Sequence, residues 1–283
     1  MSDIKKAILT IKIDEAVKMN YECPFCWLLE RSETRYLETF YSEYVKDSWY
    51  RGKVIRSGGF CRYHFYRMLD YALKHFEKLG LALVLENIAE ARFKDLKELC
   101  FVSRDLPQLK FKGSLSLFTN SGSKDRTKAV ARFMLRVKSM LKDGSVACPA
   151  CDYMEEDDKI NVDTLAFTLT TNTSFLKRFE EGKGLCLPHL LRLFESLKAS
   201  SKMAVPSLAE KLLSLELKNF SRLASELKEI IRKHDYRFHD EPWGSEIDAV
   251  ERTVLKLIGS YQLGFIHEKG RLEDLNRTTS FEG

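Results

Sequence analysis

Apolar positions recur at helical spacing along most of the chain. Within each apolar segment the hydrophobic side chains lie three or four positions apart, as one buried face of a helix requires. This spacing predicts helices over residues 37–45, 65–76, 81–99, 162–179 and 190–197. The pattern favours a mostly α-helical protein.

The C-terminal third repeats this pattern over a longer stretch. Ser207 and Glu210 form a capping box, and a stripe of Leu and Ile side chains after it predicts a long helix to about residue 230. Gly244 and Ser245 are expected to begin a last helix through about Ile258, with a loose tail after His267. Only residues 9–13 indicate a strand.

A duplicated Cys and His pattern organises the chain. A Cys-Pro-x-Cys motif is followed after 34 residues by Cys-x-x-His, and the same pair of motifs recurs 125 positions later. The eight residues are Cys23, Cys26, Cys61, His64, Cys148, Cys151, Cys186 and His189. Glu30, Gly59 and Arg67 also have identical residues at this displacement. Chance does not preserve both spacings, so we interpret the chain as two copies of one unit.

Three thiolates and one imidazole form a closed tetrahedral donor set typical of structural zinc. Because each Cys-x-x-His follows a Cys-x-x-Cys in its own copy, we expect each copy to hold one ion, two zinc ions per chain. An iron–sulfur cluster and a thiol redox pair are the alternatives, since Cys-Pro-Phe-Cys resembles the active-site motif of glutaredoxin-like proteins. Cys100 has no counterpart and is expected to be a buried small hydrophobe.

The predicted architecture is two pseudo-repeated, zinc-clipped helical units plus a C-terminal long-helix segment. Its four parts are a first metal-binding unit (1–103), a basic polar linker (104–128), a second metal-binding unit (129–204) and a C-terminal helical segment with a flexible tail (205–283).

A dense polar and aromatic stretch follows the long helix. It supplies the candidate ligand-binding residues His234, Asp235, Tyr236, Arg237, His239 and Glu241. As a functional site, Arg237 would bind an anionic group and a histidine would carry a proton. In the structural alternative, Lys233 and His234 complement the helix C-terminus and Arg237 pairs with Asp235 or Glu241.

A basic amphipathic helix is predicted near residues 130–141. Between residues 104 and 143 there are 10 Lys or Arg against 3 Asp, although the whole chain carries only +5. Lys128, Arg132 and Arg136 recur every fourth position and are candidate contacts to an anionic partner. Such a helix can bind nucleic acid or an acidic protein, or it can form a solvent-exposed outer face. The sequence shows no nucleic-acid-binding motif beside it.

Composition narrows the class of protein. Hydrophobic residues make up 44% and charged residues 31% of 283, as in a globular chain. No apolar run reaches the length of a membrane span, and the N-terminus does not resemble a signal peptide. Seven cysteines without an export signal favour metal binding in the reducing cytoplasm.

In combination, the motifs resemble an uncharacterised prokaryotic family over roughly residues 10–260. The resemblance rests on the two Cys-Pro-x-Cys motifs, the two Gly-x-Cys-x-x-His motifs, Lys-His-Asp-Tyr-Arg-Phe (233–238) and Glu-Pro-x-Gly-x-Glu (241–246). It implies a bacterial or archaeal origin and carries no activity.

Function is therefore expected from the residues alone. We expect a zinc-binding cytoplasmic protein that binds or adapts an unidentified protein or anionic ligand. An enzyme with a pocket built on residues 233–246, or a protein that uses the cysteines for redox or cluster chemistry, is the alternative.

Overall fold

The prediction of a mostly α-helical protein is confirmed by a computed structural model, which describes residues 3–104, 121–141, 147–199, 205–238 and 240–263. The helices are α1 (Asp3–Lys18), α2 (Pro24–Thr39), α3 (Ser48–Arg56), α4 (Arg62–Lys74), α5 (Lys78–Arg104), α6 (Ser121–Met140), α7 (Pro149–Thr171), α8 (Thr173–Glu180), α9 (Leu187–Ala199), α10 (Val205–Lys233) and α11 (Ala249–Ile258), with a π-helical segment (Phe40–Tyr44) after α2. These ranges contain no strand, and the strand predicted over 9–13 is wrong because those residues lie inside α1. No described helix is long and apolar enough to cross a membrane.

The local structure repeats with the sequence. Two pairs of helices show the repeat, since α3 and α8, and likewise α4 and α9, begin 125 positions apart. Asp47 caps α3 by accepting the Trp49 N–H, and Asn172 caps α8 by accepting the Phe175 N–H. Gly59 and Gly184 both have positive φ. The duplication therefore includes helix starts and turns as well as metal-ligand motifs.

Two compact units divide the chain differently from the sequence. One unit combines residues 1–36 with 151–283, and the other comprises 37–150. The N-terminal helix of the first copy is thus grouped with the helices of the second. The four-part division drawn from the sequence follows the order of the motifs and stays a prediction.

The first unit has an apolar core built around α10. Its leucine stripe is buried at Leu208, Leu212, Leu215 and Leu223, as the spacing predicts. The first three of these leucines join Ile13, Phe25, Leu165, Phe175 and Leu193 in one cluster that also contains Cys23, Cys26 and Cys186. The helix begins at Val205, two residues before the predicted cap.

The second unit packs aromatic side chains beside α4 and α5. Phe60 lies edge-on to Phe40 and to Phe65, with ring centroids 5.5 and 5.6 Å apart. Tyr41 donates a 2.6 Å hydrogen bond to the Met68 carbonyl. Arg92 of α5 donates to the carbonyls of Met140 and Gly58, at 2.5 and 3.1 Å, which ties α6 and the turn before α4 to α5.

Three further expectations need correction. The predicted linker, 104–128, is helical from Ser121 onward, and its residues 105–120 lie outside the described part. The last helix begins at Ala249, because residues 245–248 form turns. Cys100 is exposed on α5 and is not buried.

Candidate metal centre

All four metal-ligand motifs lie at helix N-termini. Cys23 directly precedes α2, Cys148 precedes α7 and Cys186 precedes α9. Cys61 is the N-cap of α4, where its sulfur accepts the His64 backbone N–H at 3.5 Å. Unpaired N–H groups and the helix dipole at these positions favour the thiolate form that a metal requires.

The eight residues form two buried clusters, but the pairing differs from the prediction. Cys23 and Cys26 lie with Cys186 and His189, and we call these residues cluster I. Cluster II consists of Cys61, His64, Cys148 and Cys151. In each cluster all four donor atoms lie within 4.8 Å of one another. Each Cys-x-x-Cys therefore meets the Cys-x-x-His of the other copy, and the expectation of one self-contained site per copy is wrong.

The donor spacing in cluster I fits one tetrahedral ion. The Nδ1 atom of His189 lies 3.4 Å from the Cys23 sulfur, 3.5 Å from Cys26 and 3.0 Å from Cys186. The Cys26 and Cys186 sulfurs are 3.6 Å apart, too far for a disulfide. Zinc bonds near 2.3 Å to sulfur place tetrahedral sulfurs about 3.8 Å apart. The residues present thus fit a single zinc-sized ion.

Cluster II has the same local geometry. The His64 Nδ1 atom lies 3.2 Å from the Cys61 sulfur and 3.5 Å from the Cys148 sulfur. Burial lowers the pKa of His64, but hydrogen bonds and charge from Cys148 and Cys61 outweigh it and raise that pKa to about 9. Because a metal ligand must be the neutral imidazole, metal binding here competes with the proton on His64.

Electrostatics in cluster I depart strongly from those of isolated groups. Burial opposes ionisation of Cys23, yet hydrogen bonds from Cys186 and Cys26 and the charge of His189 hold its pKa well below the ordinary value. Burial raises the pKa of Cys26 well above its ordinary value, and hydrogen bonds and charge from Cys186 and Cys23 raise it further. A cation bound among these groups would favour the thiolate form of the cysteines.

Two polar groups outside the donor set contact cluster I. The Ser260 backbone N–H, just after α11, donates to the Cys26 sulfur at 3.2 Å. Asp158 of α7 lies 3.0 Å from Nε2 of His189, and its second oxygen accepts from Arg192. Burial raises the pKa of Asp158, but the charges of His189 and Arg192 outweigh it and lower that pKa overall.

The turn that carries Cys186 is held by a buried ion pair. Glu216 of α10 accepts the Leu185 N–H at 2.6 Å and pairs with Lys256 of α11, also at 2.6 Å. Lys256 is fully buried and donates to the Lys183 carbonyl at 2.5 Å. Gly184 packs so closely on the Glu216 carboxylate that a Cβ atom would overlap it. Helices α10 and α11 therefore fix the backbone leading into Cys186.

Glu22 anchors the other side of this site. Its carboxylate is 3% exposed and receives Arg222 at 2.7 Å and Arg252 at 3.2 Å, from α10 and α11 respectively. Since Glu22 directly precedes Cys23, these ion pairs fix the start of the first Cys-x-x-Cys against the C-terminal helices.

The polar stretch after α10 pairs largely with itself. Asp235 binds Arg237 at 2.7 Å, Glu241 binds Arg232, and the His234 Nδ1 atom lies 2.8 Å from the Ile230 carbonyl. Tyr236 is 81% exposed, and His239 lies outside the described residues. The structure brings Asp235 and Arg237 together, and the ligand-binding role of the group stays a prediction.

Lys233 gives this stretch a structural purpose. Its ammonium is nearly buried and donates to the Pro242 carbonyl and to Glu246, each at 2.6 Å. It also lies over the Trp243 ring at 5.6 Å. The Lys-His-Asp and Glu-Pro-x-Gly-x-Glu motifs therefore meet around one buried cation.

The three basic candidates on α6 differ in their surroundings. Lys128 and Arg132 are exposed, whereas Arg136 pairs with Glu98 of α5. At least one of the three thus has an intramolecular partner. Contact with an anionic partner stays a prediction for this helix.

Sequence reasoning missed Asp158, Glu216, Lys256 and Ser260. The repeat contained one usable signal, because Asp158 stands 125 positions after Glu33, and both positions hold a buried acid. Nothing in the local sequence marks Glu216, Lys256 or Ser260, which approach the site only through the packing of α10 and α11.

These features define an all-helical, internally duplicated protein with two buried three-Cys, one-His clusters that can hold metal ions. The chain belongs to a family of unknown function, DUF6062, which it matches over residues 4–263. No curated protein and no solved structure matches it.

Proposed function

We propose that this protein binds two structural zinc ions, one in each cluster, and acts in the cytoplasm as a binding or adaptor protein. The closed donor sets carry the proposal. Every ligand side chain is buried, from fully covered Cys23 and His189 to Cys61 at 7% exposure. Four protein donors leave a tetrahedral ion no open position, which is typical of structural and not catalytic zinc.

The same geometry disfavours the alternative uses of the cysteines. An iron–sulfur cluster separates its thiolates by several metal atoms and usually takes four of them. The donors here are close enough to share one ion, and each set contains only three sulfurs. A redox thiol needs access to its partner, whereas Cys23 and Cys26 are fully covered.

A binding role draws support from exposed apolar side chains. Phe76 is 93% exposed and Leu79 77%, both at the junction of α4 and α5. On α11, Val250, Val254 and Ile258 lie on one face and are 51%, 50% and 65% exposed. Exposed apolar side chains grouped in this way are characteristic of surfaces that bind other proteins.

A cavity in the first unit offers a place for the anionic ligand. It has a volume of about 420 Å³ between α1 and α2, within the range of small-molecule sites. Its lining includes Lys12, Lys18, Arg31 and Arg35 against one carboxylate, Glu15. Lys12 binds Asp157 and Lys18 binds Asp14. Arg35, together with Arg31, whose guanidinium lies over the Trp27 ring at 4.7 Å, would then bind a ligand oxyanion.

Elemental analysis with paired variants tests the metal assignment. The protein should contain two zinc ions per chain, and Cys61→Ser should lower both zinc content and melting temperature. Cys100→Ser is the matched control, since Cys100 is exposed and lies outside both clusters. Zinc-free protein of full stability, or an iron content with visible colour, would reject the proposal.

A further inference from the structure

Asp158 holds a position that none of the metal ligands explains. Its carboxylate is 1% exposed, and its two oxygens face different partners, His189 on one side and Arg192 on the other. An ionised carboxylate is costly to bury unless both oxygens are satisfied. We therefore attribute the burial of Asp158 to its contact with His189 Nε2, the ring nitrogen that faces away from the cluster I sulfurs.

We infer that Asp158 is the positioning residue of cluster I, which orients His189 and fixes its tautomer for metal binding. The inference rests on the proposed function, because it requires a metal ion in the cluster. With Nε2 donating to Asp158, the imidazole carries its proton there and presents the Nδ1 lone pair to the ion. A second contact of this kind also makes the imidazole a better ligand.

Three observations support this role over a general packing role. Nδ1 is the nitrogen that lies within 3.5 Å of all three sulfurs, so Nε2 is the one left for a second partner. Arg192 holds the carboxylate from its other side and prevents it from rotating away. Both Asp158 and His189 lie in the first compact unit, which also contains every other ligand of cluster I.

The chain offers a closely matched control. Asp163 stands on the same helix as Asp158, and it too bridges α7 to α9, accepting the Ser196 hydroxyl at 2.7 Å. Asp163 is exposed and does not contact His189. Asp163→Asn therefore makes the same chemical change at a helix-to-helix contact on the same helix but leaves the histidine alone.

Cobalt(II) titration of the full chain, with chelator competition, measures each site through its thiolate-to-metal and d–d absorption bands. In Asp158→Asn, one of the two ions should bind about 10–100-fold more weakly, with a shifted d–d band, while the other ion binds as in the wild type. In Asp163→Asn, both ions should bind as in the wild type. NMR of the zinc-loaded protein should show a slowly exchanging His189 Nε2–H that the Asp158 substitution removes.

The experiment distinguishes failure of metal binding itself from failure of the role assigned to Asp158. A wild-type protein that binds no metal rejects the proposed function itself. Two tight ions in both wild type and Asp158→Asn reject the positioning role, and equal weakening of both ions with a lowered melting temperature also rejects it by showing a general structural effect. If Asp158→Asn does not fold, Arg192→Gln tests the same role. It removes the partner that holds the Asp158 carboxylate, so it should weaken metal binding at the same single site.

Discussion

Gly184 is the residue whose substitution should most directly show how the C-terminal helices support cluster I. Its φ of +70° lies in the left-handed region, which costs an L-residue about 1–2 kcal/mol. An added Cβ would lie 2.8 Å from the Glu216 Cδ atom and closer still to one of its oxygens. Glu216 cannot retreat freely, because Lys256 and the Leu185 N–H both hold it at 2.6 Å.

The expected loss of stability depends on how far Glu216 moves away from Lys256. Lys256 is fully buried, and loss of one partner from a buried ion pair costs about 3–5 kcal/mol. Since a shifted carboxylate keeps part of that interaction, we expect Gly184→Ala to lower the free energy of unfolding by about 4 kcal/mol in total. At about 2–4 °C per kcal/mol for a protein of this size, the melting temperature should fall by roughly 10 °C.

Thermal unfolding of the zinc-loaded protein, followed by circular dichroism, measures this effect. Gly182→Ala is the control, because Gly182 lies two residues away without a left-handed φ, and its Cβ would only approach the Phe179 carbonyl at 3.2 Å. We expect the control to change stability by less than about 1 kcal/mol. Equal melting temperatures for the two variants would refute the reasoning that Glu216 and Lys256 hold this turn.

Four further predictions follow from individual contacts. Asn172→Ala should cost about 1 kcal/mol in urea unfolding, since it removes the cap bonded to the Phe175 N–H at 2.9 Å; an unchanged midpoint would contradict this. The crossed pairing predicts that Cys186→Ser exposes Cys23 and Cys26 to thiol labelling and not Cys148, and mass spectrometry of labelled peptides would reveal the opposite result. Removal of metal by a chelator should raise the number of rapidly labelled thiols from 1 to 7 and lower the melting temperature. No change in either quantity would show that the clusters bind no metal. Lys233 and the Gly244 N–H lower the pKa of Glu246 to about 2, so its stabilising contribution should be complete above pH 4.5 and vanish as the pH falls toward 2; Glu246→Gln should abolish that part of the pH profile, and an unaltered profile would argue against the ion pair.

Local sequence was sufficient for features that depend on neighbouring residues. Helical periodicity identified most helices, and the motif spacing identified all eight cluster residues, because a Cys-x-x-Cys turn and a Cys-x-x-His helix start are local structures. The leucine stripe of α10 was equally readable, since Leu208, Leu212 and Leu215 must share a face at helical spacing. Helix ends were less certain, as the start of α11 shows, because a turn at 245–248 and a helix have similar sequence signals there.

Residues brought together only by packing could not be predicted in the same way. Glu216 and Lys256 are ordinary polar positions on their helices, and only the contact of α10 with α11 buries them as a pair. In the stretch from His234 to Glu241, the sequence allowed both a ligand site and local ion pairing. Asp235 and Arg237 do pair, as the structural alternative expects, and the ligand-binding role of the stretch stays a prediction.

The sequence by itself determined that this chain is a helical duplication with two sets of three cysteines and one histidine. Those properties depend on residue type and short-range spacing. Only the tertiary structure decided which motif meets which, because both pairings use identical donors at identical local spacings. Burial of Ile13 and Phe25 in the core beside Leu193 places Cys23 and Cys26 against Cys186 and His189, and this long-range packing determines the partners at each cluster.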